Sequence, residues 1–253
     1  MAKVVTPAVV LRTVDYGESD RVVTLLCRNG GKRSALARAA RKSTRRFGAG
    51  LAMFGVGEAT LSERAGAELA TLEGFHGARG FPHLTLDMAK VAHGGYACEL
   101  VRELSPPHKE EPEVFDLLVT LLDLLDGSPA RAETLRVFEL RLLEAVGLLP
   151  SFDRCVGCGR PMNEVELDEE GPVFDLRRGG VVCADCHGHG RALDGEVRQA
   201  LLEASRLPLG RAGELMLSAS MNAACREILS EIIRDHLGKP LKSLEFIAKL
   251  NAS

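Results

Sequence analysis

Four cysteines of this chain have a spacing that implies a definite chemistry. Cys155 and Cys158 form one Cys-x-x-Cys pair, and Cys183 and Cys186 form a second pair further along. Thiolates from two such pairs can bind one Zn²⁺ ion tetrahedrally. Because four protein ligands leave no coordination position open for water, the pattern predicts a single structural zinc ion without a catalytic role. A redox dithiol or a set of unbound thiols is the alternative.

The spacer between the two pairs supports a metal site. Residues 172–176 and 180–182 read as two short strands joined across residues 177–179, which predicts a zinc ribbon. Gly159, directly after the first pair, suits the tight knuckle that such pairs form. His187 and His189 follow the second pair closely and are alternative ligands, although histidines in such loops are more often solvated.

A second group of residues that could bind a ligand is a basic run near the N-terminus. Residues 1–57 contain 11 basic and 3 acidic residues, whereas the whole chain has a net charge of −3, so the remainder is strongly acidic. Phosphates neutralise such a run well, because each contact releases counterions from the nucleic acid. The run therefore predicts binding to a polyanion such as nucleic acid, and a solvated mobile loop is the alternative. The candidate DNA contacts are Lys32, Arg33, Arg38, Arg41, Lys42, Arg45 and Arg46.

Residues for base stacking are few in this region. The chain has no tryptophan, and the aromatic residues near the basic run are Tyr16, Phe47, Phe54, Phe75 and Phe81. This shortage favours contacts to the DNA backbone over reading of bases, and so predicts little sequence specificity.

Short β-prone runs separated by turn residues fill the first 80 residues, and they must position the basic run. Five short strands in this length predict a small antiparallel barrel, with an OB-fold favoured and an SH3-like barrel as the alternative. The predicted strands are Val4 to Val14, Arg21 to Cys27, Lys32 to Arg38, Leu51 to Leu61 and Ala67 to Phe75.

Helical periodicity begins after Phe81-Pro82. Apolar stripes predict helices up to Ser105 and from Val114 to Gly127, and Ser128-Pro129 is expected to open the next helix, which ends before Gly147. Asp194 is expected to cap a helix after the ribbon, and Gly238 to end a long one. These leucine-rich stripes are a helical core, or alternatively a groove for a partner peptide.

The predicted fold class is therefore α+β and multidomain. Residues 1–80 form the OB-fold domain, residues 81–150 the first part of a helical domain, residues 151–190 the inserted zinc ribbon, and residues 191–253 the second part of the helical domain. A short helix within residues 241–248 is expected to close the chain.

Composition and missing motifs narrow the function. No signal peptide is visible, no apolar run is long enough to span a membrane, and the cysteine pattern suits a reducing cytosol. Phosphate loops, nucleophile elbows and zinc-protease motifs are missing, so catalysis is not expected. The alternatives are an RNA-binding zinc-ribbon protein, such as a ribosome-associated factor, and a metal enzyme.

Four segments together resemble the RecO family of bacterial recombination mediators. They are residues 16–20 (YGESD), residues 37–42 (ARAARK), residues 138–150 (FELRLLEAVGLLP) leading into the ribbon, and residues 241–243 (LKS). The resemblance covers nearly the whole chain. One departure is Ala39, because family members usually have glycine there and a backbone with positive φ would strain alanine.

The resemblance implies an OB-fold that binds single- and double-stranded DNA, and a helical domain that binds the C-terminal tail of single-strand-binding protein. It further implies annealing of complementary strands and cooperation with RecR in loading RecA onto coated DNA. The implied location is the cytoplasm, in association with the nucleoid, without a membrane partner.

Overall fold

One long strand organises the N-terminal barrel. The computed structural model describes residues 2–47, 51–63, 69–163 and 171–251. Strand β1 (Ala2–Tyr16) pairs with β4 (Val56–Glu63) along its first half and with β2 (Asp20–Cys27) along its second half. Strand β3 (Gly31–Ala37) pairs with β2, and β5 (Ala70–Arg79) pairs with β4.

The barrel closes where β3 and β5 pair in parallel, so that the strand order is β1-β2-β3-β5-β4. This closed five-stranded arrangement is OB-like, and it confirms the predicted fold class. Closure removes the unpaired edges that an open sheet of this size would expose. Small and branched inward residues fill the interior, and Phe47 from the short helix α1 (Thr44–Phe47) joins this core with Leu51.

The five predicted strands lie close to the observed ones, but the predicted start of the fourth strand was wrong. Residues 51–55 form turns, and the fourth strand begins at Val56 instead of Leu51. Phe54 adopts a positive φ of 73°, which is incompatible with a strand, and its side chain is buried. Residues 67 and 68, where the fifth strand was expected to begin, lie outside the described residues.

Four helices pack with the barrel in one compact unit, which comprises residues 1–130 and 240–253. They are α2 (Pro82–Leu86), α3 (Met88–Leu104), α4 (Pro112–Gly127) and α8 (Lys242–Asn251). Helix α3 packs against α2, α4 and α8, and α4 also packs against β1 and β2. Asp87 caps α3 by accepting hydrogen bonds from the backbone N–H groups of Ala89 and Lys90.

The second compact unit comprises residues 131–239. It contains the helices α5 (Ala132–Ala145), α6 (Gly195–Arg206) and α7 (Ala219–Leu237), which pack against one another. Between α5 and α6 the chain forms a small sheet of β6 (Val173–Asp175), β7 (Gly180–Val182) and β8 (Arg191–Ala192), with β6 in the centre. The ribbon is therefore inserted between α5 and α6, which pack against each other.

Helix boundaries followed their capping residues in most places. Asp194 caps α6, and Gly147 and Gly238 follow α5 and α7 with positive φ, as expected. The expected start of α5 at Ser128-Pro129 was wrong, because the helix begins at Ala132 after an extended Arg131. The two compact units meet along the chain after residues 130 and 239, which differs from the domain boundaries expected from the sequence. Those boundaries remain a prediction.

The turn after β3 contains a strained residue that can be tested. Ala39 has φ of +54°, a left-handed conformation that costs an L-residue roughly 1–2 kcal/mol. Ala39→Gly should therefore raise the free energy of unfolding by roughly 0.5–1 kcal/mol, because the greater entropy of glycine in the unfolded chain offsets part of the relief. Urea denaturation measures this change.

Gly17 provides the matched control for this substitution. Its φ is +60°, and an added Cβ would meet no atom within 4 Å. Gly17→Ala should therefore lower the unfolding free energy by about 1 kcal/mol through backbone strain alone. A loss of stability in Ala39→Gly would contradict the left-handed turn.

A candidate metal centre and a candidate nucleic-acid interface

The four predicted cysteine ligands come together at one end of the ribbon. The Sγ atoms of Cys155, Cys158, Cys183 and Cys186 all lie within 4.8 Å of one another. Four sulfurs that bind one zinc ion at about 2.3 Å in a tetrahedron are separated by about 3.8 Å. The cluster therefore has the size and the donor set of a tetrathiolate metal site.

The backbone around Cys155 forms the expected knuckle. The N–H groups of Gly157 and Cys183 donate to Cys155 Sγ, with N–S distances of 3.4 Å and 3.3 Å. Gly159 turns the chain with φ of +76°, and its N–H donates to the carbonyl of Cys155. Such donors stabilise the thiolate form of the sulfur, which is the form that binds metal.

The thiol pKa values indicate how a cation would stabilise this cluster. Burial opposes ionisation of Cys155, but hydrogen bonds from the backbone of Cys183, Cys158 and Gly157 lower its pKa to about 6. In contrast, hydrogen bonding with the thiols of Cys183 and Cys158 raises the pKa of Cys186 to about 12. One ionised sulfur thus discourages ionisation of its neighbours, and a divalent cation at the centre would remove this penalty.

Arg160 supplies a positive charge at the rim of the cluster. Its Nε donates to Cys158 Sγ at 3.4 Å, and this hydrogen bond lowers the pKa of Cys158. The same guanidinium forms an ion pair with Asp185. The cluster includes neither His187 nor His189, and the His189 backbone N–H donates to Asp175 instead.

The remaining three cysteines lie outside the cluster. Cys27, Cys98 and Cys225 are buried in separate elements. Burial raises the pKa of Cys27 and of Cys98 to about 12 and that of Cys225 to about 11. These three thiols therefore behave as small apolar core residues.

Loss of one ligand should abolish metal binding and destabilise the ribbon. Cys158→Ser is expected to purify without bound metal and to expose residues 151–192 to proteolysis, because three-residue strands cannot hold the ribbon alone. Cys98→Ala is the matched control and should keep one metal ion per chain. Elemental analysis and limited proteolysis measure both effects, and equal metal content in the two variants would contradict the site.

Because the ligands must lose protons, metal affinity should fall as the pH is lowered.

The basic run forms a turn and a short helix at one end of the barrel. We call residues 38–47 the basic loop. The loop is held by the turn between β1 and β2. The Asp20 carboxylate accepts a hydrogen bond of 2.7 Å from Ala39 N–H, and the Ser19 carbonyl accepts one of 3.0 Å from Arg41 N–H. Asp20 therefore fixes the position at which the basic loop leaves the sheet.

Three of the predicted DNA contacts are solvent-exposed and unpaired in the part of the chain that the structure describes. They are Arg38, Lys42 and Arg45. Arg41 is also exposed and donates to the Glu18 carbonyl at 3.3 Å. No acidic side chain among the described residues neutralises these four, so their charge is available to an anion.

Arg46 is built into the loop. It donates to the Arg38 carbonyl at 2.8 Å and to Ser43 Oγ at 3.1 Å. Its guanidinium also lies 5.0 Å from the centre of the Phe47 ring. Arg46 therefore stabilises the conformation of the loop in addition to contributing charge.

Lys32 and Arg33 lie on β3 and have partners within the first unit. Lys32 Nζ donates to the carbonyl of Arg102. Arg33, whose side chain is only 15% exposed, forms an ion pair with Glu63 and contacts His108. Their positive charge is largely used inside the protein, which distinguishes them from the basic loop.

Asp20 anchors the basic loop, and the charge pattern of the sequence alone does not reveal this role. The YGESD segment (residues 16–20) resembles a family motif, and its acidic residues are opposite in charge to the basic run. Asp20→Ala should weaken nucleic-acid binding by several-fold, because the loop loses the acceptor that positions it, although the net charge becomes more favourable to polyanions. Glu18→Ala is the charge-matched control and should keep or improve affinity. Stronger binding by both variants in an anisotropy titration would contradict the anchoring role.

No helix in the described ranges is long and apolar enough to cross a membrane.

The fold and the two sites define a class of protein, one in which an OB-like barrel with a basic loop is followed by helices and an inserted four-cysteine ribbon. The chain belongs to the RecO family. Residues 1–81 match the family model described as "Recombination protein O N terminal", and residues 85–245 match the one described as "Recombination protein O C terminal".

Curated relatives agree with this assignment over nearly the full length. The chain is 43% identical over 254 residues to the DNA repair protein RecO of Anaeromyxobacter dehalogenans strain 2CP-C, covering 99% of this chain and 98% of that protein. It is 40% identical over 243 residues to the protein of the same name from Myxococcus xanthus, covering 96% of each chain. The corresponding protein of Geobacter sulfurreducens is 38% identical over 249 residues, again covering 96% of each. The family is one of DNA repair proteins.

Proposed function

We propose that this protein is a non-enzymatic recombination mediator that binds single- and double-stranded DNA through the basic loop. The observation that carries the proposal is the group of exposed basic side chains, unneutralised among the described residues, on a loop anchored by Asp20. A flexible charged tail would lose conformational entropy when it binds DNA. A loop that backbone hydrogen bonds already hold in position loses less.

The predicted DNA contacts differ in exposure and in their partners within the protein. Arg38, Arg41, Lys42 and Arg45 contact phosphates directly in this proposal, and Arg46 keeps the loop in shape. Lys32 and Arg33 add positive potential near the site but remain engaged with the barrel and the neighbouring helices. Phosphate contacts of this kind carry little sequence information, which suits a protein that acts on any DNA gap.

Membership of the RecO family supports the steps beyond DNA binding. Neutralisation of phosphates on two strands lowers their repulsion, and strand annealing follows from this effect. With RecR as partner, the protein would help to load RecA onto DNA coated by single-strand-binding protein, whose C-terminal tail it would bind through its helices. This activity places it in the cytoplasm, in association with the nucleoid.

We assign the ion of the metal centre as zinc with a structural role. Four thiolates are a donor set that zinc favours, and they close its coordination shell. The ion would cross-link the knuckles around Cys155 and Cys183 and so hold the small ribbon sheet. No step of the proposed function requires an open metal position.

Removal of the four exposed charges tests the proposal. A variant with Arg38, Arg41, Lys42 and Arg45 changed to Gln should bind a labelled single-stranded DNA oligonucleotide about tenfold or more weakly. The slope of log affinity against log salt should become shallower by about 3, since each lost phosphate contact removes about 0.7. Fluorescence anisotropy over a salt series measures both quantities.

A second variant with four exposed arginines of the other unit changed to Gln serves as a matched control. These are Arg131, Arg177, Arg226 and Arg234. It carries the same net charge, so equal losses in both variants would show that overall charge, and not the basic loop, determines binding. A matched RNA oligonucleotide should bind no more tightly than DNA; a strong preference for RNA would favour the RNA-binding alternative.

A further inference from the structure

The barrel presents one exposed Phe or Tyr ring among its described residues. Tyr16 is 61% exposed, whereas Phe47, Phe54 and Phe75 are each at most 3% exposed and belong to the interior. The shortage of aromatic residues near the basic run is therefore sharper than the sequence suggests. It leaves Tyr16, at the end of β1, as the Phe or Tyr ring of the described barrel that a ligand can reach.

A bulge in β1 places Tyr16 on the outer surface. The pairing of β1 with β2 runs from Val10 opposite Leu25 to Arg12 opposite Thr24, so Leu11 is an extra residue. One extra residue reverses which side chains point outward along the rest of a strand. Beyond the bulge Arg12, Val14 and Tyr16 are exposed, whereas before it the outward positions are the odd-numbered ones.

The strand register extends this outer surface across three strands. Val14 lies opposite Val22, which lies opposite Leu36, and the adjacent row contains Arg12, Thr24 and Ser34. Helix α4 packs against β1 and β2, and Leu26 of the same β2 face is fully buried. The rows near Tyr16 remain accessible, with Val14 43% exposed. We call the residues Arg12, Val14, Tyr16, Thr24, Ser34 and Leu36 the open face.

The open face is continuous with the basic loop. Tyr16 lies opposite Asp20 in the register, and the Asp20 carboxylate accepts the hydrogen bond from Ala39 N–H. Arg38 follows β3 directly and is exposed, and Arg12 is exposed on the same outer surface as Tyr16. An apolar strip with an aromatic ring is thus bordered by exposed arginines.

We propose that the open face binds single-stranded DNA with Tyr16 stacked on one base. The inference rests on the proposed DNA-binding function and adds a way to distinguish strands. A single strand offers unstacked bases to the ring and to the apolar strip, while its phosphates meet Arg12, Arg38 and Arg41. In a duplex the bases are already stacked and paired, so only the phosphates contribute. Tyr16 therefore confers preference for single strands, and the basic loop serves both forms.

The absence of tryptophan from the sequence allows a direct test of stacking. In Tyr16→Trp the new residue is the only tryptophan of the full chain, and its fluorescence reports on this position alone. Addition of a thymidine oligonucleotide of about 20 residues should quench this fluorescence, because a base stacks on the indole. A duplex of the same length, at a concentration that saturates anisotropy, should leave it nearly unchanged.

Val5→Trp is the matched control. Val5 lies on the same strand with 53% exposure, but before the bulge and opposite Thr60 of β4. Its fluorescence should not respond to either DNA. Bound single-stranded DNA without quenching in Tyr16→Trp would overturn the inference, as would equal quenching by the duplex. Quenching by an acidic peptide but not by DNA would assign the open face to a protein partner instead.

Affinity measurements separate the stacking inference from the proposed function. Tyr16→Ala should weaken single-strand binding by about tenfold, within the range expected for loss of one stacked base, while duplex affinity stays within about twofold. Tyr16→Phe should retain single-strand affinity, because the ring and not the hydroxyl is needed. Thermal denaturation of each variant checks that the barrel is intact.

Two failures have different meanings. If the Gln variant of the basic loop loses binding to both DNA forms while Tyr16→Ala binds single strands normally, the stacking inference is wrong and the proposed function stands. If the Gln variant binds both forms normally, the DNA site lies elsewhere and the inference fails with the proposed function.

Discussion

The hydrogen bond from Ala39 N–H to the Asp20 carboxylate is the constraint on which the proposed nucleic-acid surface depends. Like charges repel one another, and a run of arginines and lysines without a fixed anchor would spread into solvent. The carboxylate instead ties the start of the run to the turn between β1 and β2. The strained φ of Ala39 is part of the same arrangement, because the left-handed backbone aims this N–H at Asp20.

The barrel and the ribbon are stabilised in different ways. The barrel has a filled interior, closed by Phe47 and Leu51, and its strands have no free edge. The ribbon has strands of two or three residues, which are too short to form a stable sheet alone. Its four cysteine sulfurs converge, and a cation shared among them would cross-link the ribbon and offset the repulsion between thiolates.

Sequence patterns predicted the elements whose signals are local. Cysteine spacing predicted which four sulfurs come together, turn residues predicted the hairpins, and Asp194, Gly147 and Gly238 predicted helix ends. The Ser128-Pro129 signal failed because a local N-cap preference does not determine where packing allows a helix to begin. Phe54 likewise left its expected strand because burial of its ring in the structure outweighed the local β preference.

Long-range partners were beyond what the sequence could predict. Seven basic residues look equivalent in a linear run, but Lys32 and Arg33 are engaged with residues about 70 and 30 positions away. Which charges remain free depends on strand register and on the helices that pack beside the barrel. The same is true of the aromatic residues, of which one is exposed and the others are interior.

The extra residue in β1 has a consequence for how this barrel can change during evolution. A substitution alters one position of a surface. Loss of Leu11 would only remove the bulge and leave Arg12 opposite Thr24, whereas loss of a regularly paired residue beyond the bulge, such as Thr13, would exchange the two sides of the residues that follow it on the strand. Val14 and Tyr16 would then point toward the interior of the barrel, and Asp15 would replace them outside. The number of residues in β1, as well as their types, therefore determines which side chains form the outer surface. Natural variants of this strand should therefore tolerate changes of side chain far better than changes of length.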